Sequence, residues 1–201
     1  MKGLLVRGLC LAALLGLGKP AWAFDLQALS AQLAKPAVVQ GDFIQEKHLR
    51  ALPQPLTSKG QFVLARDNGL LWLLKSPLQQ DYRINAAGIA RRDTDGWHTL
   101  PSKSAGAQQN RLFFAVLQGD SSGLQRDFEL DLQGDAGNWQ LRLTPRSLLL
   151  KQVFTRIDIF GGQFVERIEL MEVQGDSTVL RMPASHSADN LSEEQRHDFA
   201  Q

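Results

Sequence analysis

Cysteine is nearly missing from this sequence. The only one, Cys10, lies in an apolar N-terminal run, too early to follow a lipid-attachment cleavage box, so the chain must fold without a disulfide. An excess of either charge is also missing, since 22 Lys and Arg face 21 Asp and Glu for a formal charge of +1. Phosphate binding depends on clustered Lys and Arg, and no such cluster occurs, which removes the electrostatic reason to expect nucleic acid. Nor does any apolar run approach the roughly 20 residues that cross a bilayer. What is present, 201 residues with 43% hydrophobic and 21% charged, has the make-up of one globular domain rather than of a disordered, collagenous or multidomain chain.

Lys2 and Arg7 precede an apolar run from Leu9 to Leu17, and Ala21-Trp22-Ala23 places small residues at cleavage positions. Together these read as a secretory signal peptide over residues 1–23, cleaved on export. Its removal takes Lys2, Arg7 and Lys19, leaving 19 basic residues against 21 acidic and a charge of about −2. The expected product is a soluble exported protein in a bacterial periplasm.

Along the mature chain, Asp25 is placed to cap a helix in which Leu26, Leu29 and Leu33 recur at three- and four-residue spacing, and Lys35-Pro36 stops it. The period then changes to two. Val39, Gly41, Phe43 and Gln45 share one strand face, while Gln61–Leu64 and Leu70–Leu74 flank Asn68-Gly69, a strong hairpin signal. Short strands are expected at Asp81–Ile84 and Ile89–Arg91, followed by a turn at Asp93–Gly96. A second helix is expected between Gln108 and Leu117, ended by the loop Gly119-Asp120-Ser121-Ser122-Gly123. A meander follows, through Phe128–Leu132, Trp139–Leu143, Val153–Phe160, Phe164–Val173 and Thr178–Met182. The remainder, residues 183–201, is polar and is expected to be a mobile tail behind a domain of residues 24–182.

Sequential hairpins with few helices give a single antiparallel sheet, and a sheet this long must curl to cover its apolar face. The fold expected is mainly β, a half-open curled antiparallel barrel with an N-terminal helix and helices at its mouth. Such a sheet either encloses a cavity for an apolar ligand or is filled by its own side chains.

No catalytic constellation emerges. Gly119–Gly123 has the form of a nucleophile elbow around Ser121, with His186 or His197 as possible base, but an elbow needs a strand before it and a helix after it. Here a helical pattern comes before and a strand after. His48, His98, His186 and His197 have no ligand spacing, so no metal is expected. Glu129, Asp131, Glu166 and Glu169 alternate with apolar neighbours and are expected to face solvent. Binding is therefore a better class than catalysis, and no cofactor is called for.

Specific spacings then matter. Phe43-Ile44-Gln45, Gly60, Arg66, Trp72 and Pro77, followed by Leu143-Thr144-Pro145 and Leu150-Lys151-Gln152 ahead of a strand, resemble the LolA family of periplasmic lipoprotein carriers across nearly the whole mature chain. The resemblance implies lid helices over an apolar cavity that takes the acyl chains of a lipoprotein. It implies Arg66 as the latch between sheet and lid, with Leu112, Phe113, Phe114 and Leu117 on the lid helix. Leu70 and Trp72 match cavity-side positions, and strand alternation adds Phe43, Phe62 and Leu64 to the lining. The family commonly has proline after the arginine and an aromatic residue four positions after it, where this chain has Asp67 and Leu70. Asp67 sets a carboxylate beside the latch.

For a general carrier, the resemblance implies a monomer that takes cargo from an inner-membrane ABC exporter and passes it to an outer-membrane receptor lipoprotein. Two alternatives stay open, a specialised paralogue carrying another acylated or polyene lipid, and a lipid-sensing interaction protein on the same fold.

Overall fold

The computed structural model describes residues 24–101 and 105–200, with the side chains of 105–110 excepted. The signal peptide read over residues 1–23, with Cys10, lies outside the described residues. Asp25 caps helix α1 (Leu26–Ala34), its carboxylate accepting the Ala28 N–H at 2.8 Å, and Leu29 and Leu33 are buried on the sheet side. The chain then runs through β1 (Val38–His48), β2 (Leu56–Ala65), β3 (Gly69–Ser76), β4 (Gln80–Asn85), β5 (Gly88–Asp93) and β6 (Gly96–Thr99). Two helices follow, α2 (Ala105–Leu117) and α3 (Ser121–Asp127). Next come β7 (Phe128–Asp135), β8 (Asn138–Pro145), the short α4 (Leu148–Lys151), β9 (Phe154–Gly161), β10 (Val165–Glu172) and β11 (Ser177–Arg181). The chain ends in β12 (His186–Ala188) and α5 (Glu193–Ala200).

All twelve strands belong to one antiparallel sheet, in the order β6-β5-β4-β3-β2-β1-β11-β10-β9-β8-β7, with β12 on the start of β1. The two halves of the chain thus join where β1 meets β11, and the sheet does not close, since β6 and β7 remain its edges. The Asn68-Gly69 hairpin forms as its sequence demands: Ala65 pairs with Gly69, whose φ of 122° suits glycine and few other residues.

Curling gives the sheet a concave face that holds the main core. Phe43, Phe62, Leu70, Trp72, Leu143, Ile157, Ile159 and Leu180 are buried there beneath α1 and α2. The convex face carries a second, smaller core built on Val38, Val63, Ala65 and Leu71, which the C-terminal segment covers with Phe199. Here the structure corrects the sequence reading, because the polar tail is built into the fold. Arg83, nearly buried, donates to the Asp198 carbonyl at 2.9 Å, Arg92 pairs with the Asp198 carboxylate, and both guanidiniums lie over Trp97, at 4.9 and 4.6 Å from the ring centre.

The Gly119–Gly123 segment is a second correction. It opens a helix, α3, with Asp120 accepting the Gly123 N–H at 2.9 Å. Helix α4, capped by Ser147, is likewise absent from the sequence reading.

The two ends of the sheet differ. At one, α1 lies over the β7–β8 and β9–β10 turns, where Gln32 Nε2 donates to Gly162 O at 2.6 Å and to Ala136 O at 3.2 Å. The other end gathers the β1–β2, β3–β4, β5–β6, β8–β9 and β10–β11 connections around α4, and is called the mouth below.

Candidate functional site

Strand register assembles an aromatic cluster on the concave face. Phe43 of β1 pairs with Gly60 of β2, and Phe62 of β2 pairs with Trp72 of β3. Gly60 leaves room for the Phe43 ring, because a Cβ there would stand 2.7 Å from its Cζ and 2.2 Å from the Leu73 carbonyl oxygen. With that room, Phe43 and Trp72 stack at 3.8 Å between centroids and 19° between planes, and Phe62 tilts against Trp72 at 6.4 Å. Leu64 and Leu70 face each other beside them. The five residues read from the sequence as lining therefore share one apolar surface.

Helix α2 covers it. Phe113 inserts to 5.8 Å from Trp72, Val116 and Leu117 are buried with it, and Leu112 and Phe114 pack half-buried on either side. The core reaches beyond the expected residues to Leu124 of α3, to Phe128, and to Trp139, whose Nε1 donates to Gly162 O at 2.7 Å. The alternation of β8 marked Trp139 as inward-facing. No local pattern marked Leu124, because the residues that open its helix, Gly119–Gly123, were read as a loop.

Under these helices little space remains. One small void of about 20 Å³ lies among Leu29, Val116, Leu124 and Trp139, and another of about 10 Å³ among Leu33, Phe62, Leu64 and Leu117. Each holds about one water molecule at most, so an acyl chain enters this interior only if α2 moves. Larger space begins outside α2. A groove of about 420 Å³ runs between α2, α3 and α4, floored by Leu112, Leu124, Phe128, Leu149 and Phe154 and edged by Arg111 and Arg126.

Arg66 follows β2 at the end opposite the mouth. Its backbone N–H donates to Ala37 O at 3.0 Å, and its guanidinium reaches Pro36 O at 3.3 Å, just past the end of α1. It forms no ion pair with Asp67 among the described residues. On its other side Arg66 shares an open depression with Phe114 and Gln118 of α2. The arginine thus sits where α1, α2 and the β2–β3 hairpin converge.

The residues set aside for catalysis stay scattered. Ser121 lines the small void beside Leu26 and Ser30. His98 meets Asp93 at 2.9 Å, and His186 lies 3.3 Å from both Gln40 Nε2 and Ala184 O. No three His, Cys, Asp or Glu side chains come together as a metal set among the described residues. Asp158, the most buried carboxylate among the described residues, lies on the convex face and accepts from Arg142 Nε and Arg156 Nε at 2.7 Å each. Burial pushes its pKa up, but the hydrogen bonds and charges of the two guanidiniums outweigh burial and hold it below the ordinary aspartate value.

The described residues thus form an apolar concavity on an unclosed antiparallel sheet, covered by helices. The family model for outer membrane lipoprotein carrier protein LolA-like matches residues 18–197. The chain belongs to this LolA-like family. Among solved structures, the Pseudomonas aeruginosa MucA/MucB complex aligns at TM-score 0.50 and 16% identity over 85% of this chain and 58% of that chain. A LolA superfamily protein from Nitrosomonas europaea aligns at 0.49 and 10% identity over 84% and 94%. A DUF1329 family protein from Desulfovibrio piger aligns at 0.47 and 11% over 85% and 93%. No curated protein matches the sequence. LolA-like membership agrees with a carrier or binding role and gives the chain a mainly β fold with an unclosed antiparallel sheet.

Proposed function

We propose that this protein is a periplasmic carrier of acyl chains that holds them between the concave sheet face and α2, in the place Phe113 now fills. A single observation carries the reading: the Phe43–Phe62–Trp72 cluster on the concave face is covered by a helix joined to the sheet by side-chain packing rather than by strand pairing. Each methylene buried contributes about 0.8 kcal/mol, so lipids with long chains cannot cross water unescorted and need a cover that opens. For a general carrier the cargo is a lipoprotein, the donor an inner-membrane ABC exporter and the acceptor an outer-membrane receptor lipoprotein. Asp67 and Leu70, which depart from the family pattern, favour a second reading in which the cargo is another acylated or polyene lipid.

Arg66 is the proposed latch. Its guanidinium bonds the carbonyl beyond α1 and lies beside Phe114 and Gln118 of α2, contacts through which the β2–β3 hairpin can hold the helices and that are weak enough to break.

Dibromostearate provides the test, because bromine quenches tryptophan only at contact. The expected result is saturable quenching in the wild-type protein that is lost in Trp72→Phe and retained in Trp97→Phe, whose ring lies on the convex face. Quenching that survives removal of both concave-face tryptophans, Trp72→Phe with Trp139→Phe, would place the chain elsewhere, and no quenching in any form would end the carrier reading. In Arg66→Leu, uptake is expected to persist while release to acceptor vesicles slows.

A further inference from the structure

The exposed large apolar residues of this protein are not scattered. Leu52 and Leu56 belong to the β1–β2 connection and its strand end, and Leu78 to the β3–β4 connection. Leu148, Leu149 and Val153 belong to the segment joining β8 to β9, and Val173 to the β10–β11 connection. Strand directions put all four connections at the mouth. Among the described residues, none of the same class lies at the α1 end or on the convex face. Three of these residues stand far out of the surface, Leu148 at 81% exposure, Leu78 at 77% and Leu149 at 61%. Scattered exposed leucines need no explanation, but their confinement to one end does.

Unpaired cations beside these leucines point to the partner. Arg50, Lys59, Lys75, Arg146 and Lys151 flank these side chains, and none is ion-paired among the described residues. Several nearby carboxylates are already engaged: Glu172 with Lys47 at 3.5 Å, Asp93 with His98 at 2.9 Å, and Asp176 with the Arg50 N–H at 2.9 Å. Asp93 and Asp176 keep their charge beside a histidine and a backbone N–H, and with Asp95, Asp127 and Glu129 they roughly balance these cations, which nonetheless stay unpaired among the exposed leucines.

We infer that the mouth docks on an anionic lipid bilayer, its leucines entering the boundary between headgroups and acyl chains and its Lys and Arg meeting headgroup phosphates. The side chains favour a bilayer over a protein. They are all Leu and Val, which are under-represented among protein-interface hot spots, where Trp, Tyr and Arg dominate. They also rise from four separate connections instead of forming one shaped patch, and a fluid apolar medium accepts such an array. Lys151, within α4 beside Leu148 and Leu149, can lay its stem along the apolar layer with its ammonium at the phosphates. Docked this way, the groove between α2, α3 and α4 opens toward the membrane. The inference goes beyond the carrier reading and stands without it.

Flotation with vesicles of phosphatidylglycerol and phosphatidylcholine tests it, using the full mature chain. The wild-type protein is expected to float with these vesicles, and raised salt should weaken the association. The triple variant Leu78→Gln, Leu148→Gln, Leu149→Gln should lose about tenfold in partitioning. Lys75→Glu with Lys151→Glu should lose binding to anionic vesicles, whereas Lys35→Glu at the opposite end should not. All the substituted side chains are exposed, and an unchanged melting temperature confirms that each variant folds. Absence of wild-type flotation, or equal flotation of the triple variant, would overturn the inference. So would binding confined to envelope vesicles and abolished by trypsin treatment of them, which would identify a protein partner. Dibromostearate quenching measured on the same samples reports the carrier reading separately, so either can fail alone.

Discussion

Two buried side chains carry the sharpest tests at the scale of single residues. Phe113 fills the space proposed for cargo, so truncating it has opposite effects on stability and on uptake. Phe113→Ala is expected to cost about 3–5 kcal/mol, the usual range for a buried phenylalanine, and to lower the melting temperature by on the order of 10 °C. The vacated volume lies against Trp72, so dibromostearate should quench faster in the variant than in the wild-type protein. A destabilised variant with unchanged uptake would show that Phe113 is ordinary core. Asp158 provides the pH test. Its pKa is held below the unfolded value, so its contribution to stability is present at neutral pH, above the unfolded pKa near 4, and is lost as pH falls through the native pKa. Asp158→Asn should therefore cost about 1–3 kcal/mol at pH 7 and progressively less toward pH 2. Urea midpoints across that range would show two curves converging at low pH, and parallel curves would refute the assignment.

At the scale of elements, what could be read from the sequence depended on whether the signal was local. Helix α1 was legible because Asp25, Leu29 and Leu33 carry both cap and stripe, and the β2–β3 hairpin because Asn68-Gly69 encodes its turn. The lining residues followed from alternation, since Phe43, Phe62 and Trp72 needed only a strand register to meet. Helix α5 was not legible, because Glu193–Ala200 has almost no apolar periodicity and is anchored by distant groups, Arg83, Arg92 and Trp97. One trace of it was present. Phe62–Ala65 and Leu70–Leu74 are apolar at consecutive positions, and a strand apolar on both faces needs a cover on both. Phe199 supplies the second cover, so Phe199→Ala should cost about 3 kcal/mol while leaving dibromostearate binding on the opposite face unchanged. Urea denaturation and quenching measured together check this, and lost binding in a folded variant would show that the two faces are coupled.

At the scale of the whole molecule, the sheet and its helical cover are held by different forces, and this difference sets how a carrier of this form must move. Ten antiparallel pairings tie the eleven strands of the main path, and opening any of them breaks a ladder of backbone hydrogen bonds. Helix α2 meets the sheet through side chains alone in the contacts described, with Phe113, Val116 and Leu117 as its buried anchors. An entering chain replaces those apolar contacts with others of the same kind, so displacing α2 exchanges one burial for another, whereas parting two strands would leave unpaired N–H and C=O groups facing lipid. Loading is therefore expected to loosen α2 and leave the sheet intact. Hydrogen exchange with saturating dibromostearate should show faster exchange across 105–117 and unchanged protection in β1, β2 and β3. Saturable binding with α2 protection unaltered would mean that the chain stays in the outer groove beside α4 and never reaches the aromatic cluster.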